Sequence, residues 1–270
     1  DKAVESWLRD IIFQPDRGKI LDRHGKELAT NLSSTSVILV PHQIVNKEET
    51  ANHLAHILQI DDEKALDYVH KQASSVRVHP EGRKISEEEE QQFKELQLEG
   101  VYLAKDSKRH YPEKELLAHV LGFTGIDNQG LTGLELMYDD YLKGKSGSFS
   151  YFSDAKGGKI PDLENVYKAP EDGLHLQTTI DLNVQTIVER ELNEAQLKYN
   201  PDGAIAIVVN PQNGAVLAMA TRPTFNPLNY QAVAKEVYDH HLPIWSTFEP
   251  GSTFKIITLA AVLEEGLVDL

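Results

Sequence analysis

Ser252 and Lys255 are the two residues of this chain whose types and spacing best suit chemistry. They lie in Glu249-Pro250-Gly251-Ser252-Thr253-Phe254-Lys255. Three positions apart, they share one face of a helix and their side chains can meet. From Lys255 to Leu263 only Lys255 and Thr258 are polar. A run apolar on nearly every side predicts a buried helix. An amine among apolar neighbours is desolvated, which disfavours its charged form. A neutral lysine can take the proton of a serine hydroxyl and leave a nucleophile. A serine at a helix start also has backbone N–H groups beside it to receive an oxyanion. The chemistry predicted is acyl transfer through a serine ester with a lysine base.

Four-residue spacing alone is a weak signal, because the chain holds a second match, Ser153-Asp154-Ala155-Lys156. That one sits beside Gly157, Gly158 and Lys159 with no apolar helix behind it, and reads as a solvated loop. At Ser252 the preceding Pro-Gly turn and the apolar run that follows reverse the reading. Gly144-Lys145-Ser146 has the tail of a phosphate-binding loop, but Asp139 stands where that motif needs glycine. No nucleotide site is expected there. His53 and His56 could share a helix face but lack the acidic partner of H-E-x-x-H. They and the His240–His241 pair read as surface histidines. Neither a metal nor a cofactor is expected.

Composition excludes further classes. The 270 residues carry a formal net charge of −15, which argues against nucleic acid and against docking on anionic lipid. There is no cysteine, so disulfides, zinc thiolates and cysteine nucleophiles are all ruled out. No run is long enough to span a bilayer, and no signal peptide is visible. The chain opens at Asp1, and Trp7, Leu8, Ile11, Ile12 and Phe13 follow early, as they would just outside a membrane anchor. Leu270 follows the apolar helix closely. Truncation at both ends and an incomplete last domain are the expectation.

The remaining elements must carry and position the Ser252 stretch. Residues 17–29 predict two short strands about a turn at His24-Gly25, and 36–40 a third strand. Asn46 with Glu49 and Ser86 with Glu89 are helix-start pairs. The first opens a helix with Ala51, Leu54, Ile57 and Leu58 inward, the second one with Phe93 and Leu96 inward. Asp61 starts another helix, with Ala65, Leu66 and Val69. Val76, Val78 and Ile85 predict a hairpin interrupted at Pro80-Glu81-Gly82. A strand covers 101–104 and a short helix 113–121. Thr132 with Glu135 predicts a capping box and a helix to about Leu142. Residues 150–170 read as an extended connection. Leu174, Leu176, Thr178 and Ile180 alternate as in a half-buried strand. Asp181 caps a helix bearing Val184, Ile187, Val188, Leu192 and Ala195. Residues 204–209 and 215–220 predict a hairpin with Gly214 in the left-handed position.

In order and spacing, these residues resemble the class B penicillin-binding proteins, monofunctional D,D-transpeptidases of bacterial cell-wall synthesis. The resemblance covers nearly the whole chain. It rests on Arg17-Gly18…Asp22-Arg23…Gly25, Arg109-His110-Tyr111-Pro112 and Ala118-His119-Val120-Leu121-Gly122. Gly130-Leu131-Thr132-Gly133-Leu134-Glu135, Thr179-Ile180-Asp181 and the Ser252 stretch complete it. S-x-x-K is itself a signature of such proteins and of β-lactamases. The flavour is closest to the Gram-positive division and sporulation branch. The resemblance implies an α+β chain. Residues 1–174 would form an elongated non-catalytic pedestal of the dimerisation type, and 175–270 the beginning of a transpeptidase domain, incomplete at its C-terminus. It implies Ser252 as nucleophile and Lys255 as base, and peptidoglycan stem peptides and β-lactam antibiotics as ligands. It also implies wall-synthesis or division proteins as partners, and a membrane anchor outside these residues holding the protein on the extracytoplasmic face.

The family also needs S-x-N and K-T-G. No K-T-G occurs here and no S-x-N follows Ser252. These 270 residues are therefore expected to hold nucleophile and base without the rest of the cleft, and to be inactive by themselves. Two other classes of function stay open: a non-catalytic scaffold of a wall-synthesis complex, and a β-lactam sensor or hydrolase.

Overall fold

A computed structural model of the chain describes residues 8–152 and 166–269. The early apolar stretch is strand β1 (Leu8–Phe13). After an extended segment come β2 (Ile20–Leu21) and β3 (Glu27–Leu39), antiparallel about the predicted turn, where Gly25 has φ +84°. Helix α1 (Lys47–Leu58) starts where the Asn46 side chain accepts the Glu49 N–H, and it buries Ala51, Leu54, Ile57 and Leu58 as predicted. Helix α2 (Asp62–His70) and strand β4 (Val76–Arg77) follow. Helix α3 (Glu87–Leu96) opens with the predicted capping box between Ser86 and Glu89. Strand β5 (Val101–His110) then runs antiparallel to β3 along ten residue pairs.

The glycine-rich middle folds into three short helices, α4 (Ala118–Leu121), α5 (Gly133–Met137) and α6 (Asp139–Leu142). Gly122, at φ +72°, is required here, since a Cβ would stand 2.0 Å from the Thr132 carbonyl oxygen. Strands β6 (Gly147–Phe152) and β7 (Val166–Lys168) join β1 in a three-stranded sheet. Strand β8 (Leu176–Gln177) lies parallel to β2. Helix α7 (Leu182–Tyr199) starts at Asp181, whose side chain accepts the Asn183 and Val184 N–H groups. Strands β9 (Ala204–Val209) and β10 (Val216–Arg222) form the predicted hairpin with Gly214 at φ +72°. A connector holds a 3₁₀ turn (Pro227–Ala232), α8 (Lys235–Asp239) and α9 (Leu242–Trp245). It leads to a second 3₁₀ turn (Gly251–Phe254) and α10 (Lys255–Glu264).

Two apolar cores result. The outer one gathers α1, α2, Phe93 of α3 and the far end of β3. The second joins Ile20, Leu28, Tyr111 and Phe123 to Ile180, Leu182 and Phe225, so it draws on both sides of residue 174.

Several expectations need correction. β3 is one strand of 13 residues rather than two. Its polar middle stays in the sheet because β5 matches it, with Ser34 opposite Asp106 and Ser36 donating to Asp106. β5 is correspondingly longer than predicted. Val76 and Ile85 do not pair with each other; each joins β3 separately. Leu66 and Leu96 lie at the rim, more than a third exposed, and Ile187 is half exposed. On α7 the buried face is Leu182, Gln185, Glu189 and Leu192, because polar Gln185 binds the Met219 backbone and Glu189 binds Arg222. Ser153 lies outside the described residues.

Candidate active site

Pro250 and Gly251, the latter at φ +53°, turn the chain into the 3₁₀ segment that carries Ser252. The Thr253 N–H donates to the Pro250 carbonyl at 3.2 Å, and its hydroxyl donates to the same oxygen. The Lys255 N–H donates to the Ser252 carbonyl, closing one turn between the two residues of interest. In an ideal 3₁₀ turn residues three apart eclipse one another, the relation that the spacing predicts for Ser252 and Lys255. Thr258 returns its hydroxyl to the Phe254 carbonyl at 3.5 Å. Among the described residues there is no hydrogen bond between the Ser252 hydroxyl and the Lys255 amine.

The predicted burial is not found. Every residue from Gly251 to Ala261 is exposed, and Ile256 is 75% open to solvent. α10 packs mainly on the turn before it. An apolar run specifies a helix that gains by being covered, but the cover is tertiary. One side of the β9–β10 hairpin is occupied by α7. Ile205, Ile207 and Val209 of β9 are each more than two-fifths exposed. Lys255 is therefore exposed rather than set among apolar neighbours.

Behind this open face the packing tightens. Glu189 accepts the Leu117 N–H at 3.2 Å and a Gln185 N–H at 2.9 Å, and pairs with Arg222 at 2.6 Å. α4 is thereby tied to α7 and β10. From α4, His119 reaches the connector: its Nε2 donates to the Val237 carbonyl at 2.6 Å. Its ring meets Phe225 edge-on, centroids 4.9 Å apart, and stacks on His241 at 5.7 Å. Burial holds the His119 pKa below the ordinary imidazole value. Burial, and then the neighbouring His119, take His241 down to about 4. The His241 Nε2 is buried without a partner among the described residues. His241 is therefore not the surface residue that the sequence suggested.

Sequence reasoning also missed the role of Glu135. The Thr132 hydroxyl caps nothing, and Glu135 is fully buried. Its carboxylate receives Arg17 Nε and Arg109 Nε, each at 2.7 Å, while Arg17 Nη1 reaches Asp139 at 2.7 Å. Asn31 completes the group, accepting from Arg109 and donating to the Arg17 carbonyl. Two guanidinium and two carboxylate groups make the cluster formally neutral. The signal was available: Arg17, Arg109 and Glu135 each belong to a motif that carried the family resemblance. No group of three or more acidic, histidine or cysteine side chains suited to a metal occurs among the described residues.

Comparison with known proteins gives a consistent outcome. The penicillin-binding protein dimerisation domain matches residues 12–178, and the penicillin binding protein transpeptidase domain matches residues 204–270. The chain is 54% identical over 268 residues to stage V sporulation protein D of Bacillus subtilis, covering 99% of this chain and 42% of that protein. It is 31% identical to the peptidoglycan D,D-transpeptidase FtsI of Escherichia coli, over 97% of this chain and 45% of the relative. Among solved structures, penicillin binding protein 2X from Streptococcus thermophilus superposes with a TM-score of 0.64 at 26% identity, covering 97% of this chain and 42% of that one. A peptidoglycan synthetase from Bifidobacterium adolescentis does so with a TM-score of 0.68 at 24% identity, covering 97% and 52%. The chain spans less than half the length of these curated relatives.

Proposed function

Because the chain belongs to the class B penicillin-binding proteins, we propose that the whole protein is a serine D,D-transpeptidase that cross-links peptidoglycan stem peptides. The Lys255 amine takes the Ser252 proton as Oγ attacks the penultimate D-alanine carbonyl. The peptide C–N bond breaks, the terminal D-alanine leaves with a proton, and an ester on Ser252 remains. The amine of a second stem peptide attacks that ester, an amide forms, and Ser252 regains its proton. A β-lactam would stop at the ester. The observation that supports this reading is the single 3₁₀ turn, closed by the Lys255 N–H on the Ser252 carbonyl, which spaces the two residues one turn apart.

Residues 1–174 are read as the pedestal and 175–270 as the start of the catalytic domain. The whole protein would work on the extracytoplasmic face of the membrane, held by an anchor outside these residues and accompanied by wall-synthesis or division proteins. No helix among the described residues is long and apolar enough to cross a membrane. The exposed Lys255 and the absence of S-x-N and K-T-G after Ser252 support the further reading that residues 1–270 alone acylate poorly.

Labelling with a fluorescent penicillin tests all of this. The whole protein should form a long-lived adduct. Ser252→Ala should form none, and Lys255→Ala should label slower by roughly 10²–10⁴-fold. The 270-residue chain should label far more slowly than the whole protein. Undiminished labelling of Ser252→Ala would sink the nucleophile assignment. Rapid loss of the adduct would favour a hydrolase.

A further inference from the structure

The connector between β10 and the Ser252 turn has little regular structure of its own. Its elements are a distorted 3₁₀ turn and two helices of five and four residues. Something else must fix its path. Two buried rings from the N-terminal half touch it: Phe123 packs on Phe225, Tyr230 and Tyr238, and His119 alone of the two also holds the part nearer Ser252, at Val237 and His241. His119 is only 8% exposed, donates to the Val237 carbonyl in α8, lies edge-on to Phe225 before the 3₁₀ turn, and stacks on His241 at the start of α9. His241 in turn anchors α9, because its carbonyl accepts the Ile244 and Trp245 N–H groups, both at 2.9 Å. α9 leads directly to the segment that ends in Pro250 and Ser252. α4, which bears His119, is itself held by Glu189 through the Leu117 N–H.

We propose that His119 is a positioning residue for the reaction at Ser252: its ring and Nε2–H fix the connector and so place the nucleophile turn. This rests on the acyl-transfer reading above. His119 touches no reacting atom; it acts through Val237, His241 and α9. Displacements of about 1 Å far from the chemistry can cost on the order of 10²-fold in rate, so a loosened connector should be visible in acylation.

The test has two arms. On the 270-residue chain, hydrogen exchange is followed at the Ile244, Trp245 and Ser246 amides, and the His119 tautomer is read from its ring ¹⁵N shifts. The wild type should show the Nε2–H tautomer. His119→Phe keeps a ring and loses the donor, and should speed exchange at those amides by about tenfold or more while α7 and the β9–β10 hairpin keep their protection. His119→Gln, which returns an N–H near the Nε2 position, should recover most of that loss. On the whole protein, the acylation rate with fluorescent penicillin should fall about tenfold or more in His119→Phe and be largely rescued in His119→Gln. Unchanged exchange at the connector in His119→Phe overturns the proposal, as does loosening spread evenly over the chain. A loosened connector with an unchanged acylation rate also overturns it. Equal behaviour of the Phe and Gln variants removes the donor role. If the wild-type whole protein does not acylate, the function fails, while the exchange arm still judges whether His119 holds the connector.

Discussion

Glu135 illustrates how a residue can be read correctly as present in a motif and wrongly as to its work. Threonine with glutamate three residues later is a local capping signal, but the carboxylate is drawn to two arginines 118 and 26 positions away. Local pattern carries no information on such partners. Removing one member of a buried ion cluster leaves the others charged and desolvated, which costs about 3–5 kcal/mol. Glu135→Gln should therefore lower thermal stability sharply by differential scanning calorimetry. A fall of only a degree or two would show that the arginines find water instead. His241 gives a prediction of a different kind. Its folded pKa lies near 4, below its ordinary value of 6.5, so the unfolded chain binds the proton first. The stability this group contributes is complete above about pH 6.5 and is lost as pH falls towards 4, by roughly 1–3 kcal/mol. The groups facing it are His119, itself depressed, and beyond that ring Glu189 and Arg222. The depression at Asp106 acts below this window, since the ordinary value there is 3.8. Unfolding curves from pH 4 to 7 should slope in the wild type and slope less in His241→Gln, the remainder coming from His119, whose depression acts in the same window; parallel curves would dismiss His241 as a source.

The elements show where sequence patterns suffice and where they stop. Caps and tight turns were legible because both partners lie within four residues: Asn46 with Glu49, Ser86 with Glu89, Asp181 with Val184, and Gly214 in its hairpin. The continuity of β3 was not, because Ser33-Ser34-Thr35 reads as a break until β5 supplies Lys105, Asp106 and Ser107 opposite. The burial of α10 failed for the same reason in reverse: apolarity is local, cover is not. Ser252 and Lys255 could be picked out as candidates through spacing, whereas the His119 contacts join residues more than a hundred positions apart. Two substitutions separate local from tertiary cost. Asp181→Ala removes an N-cap and should destabilise by about 1 kcal/mol. Gly122→Ala should cost more, because the residue sits at φ +72° and the new Cβ would meet the Thr132 carbonyl. Urea titration of both variants checks the order, and a milder Gly122→Ala would mean that the α4–α5 approach relaxes readily.

At the scale of the molecule, the proposed division near residue 174 does not divide the packing. β8 pairs with β2, the Arg23 N–H donates to the Ile180 carbonyl at 2.8 Å, and the Leu182 N–H reaches Asp22. Phe123 stacks on Tyr230 at 3.9 Å between centroids. Ile180, Leu182 and Phe225 complete a core whose other half is Ile20, Leu28, Tyr111 and Phe123. Each such apolar side chain contributes about 1.5–3 kcal/mol when covered, a large share of a domain's margin. The outer core, by contrast, is made from β3 to α3, with Val101 and Leu103 of β5 packed against it, and is complete without anything after residue 174. A chain ending at 174 should therefore keep the outer core and lose the second. Its amides in α1 to α3 should stay protected from exchange while those of α4 to α6 become labile. If residues 1–174 instead keep full protection around Tyr111 and Phe123, the second core is closed by the pedestal alone. The route from His119 to the Ser252 turn would then cross a boundary between independent units rather than run through one shared interior.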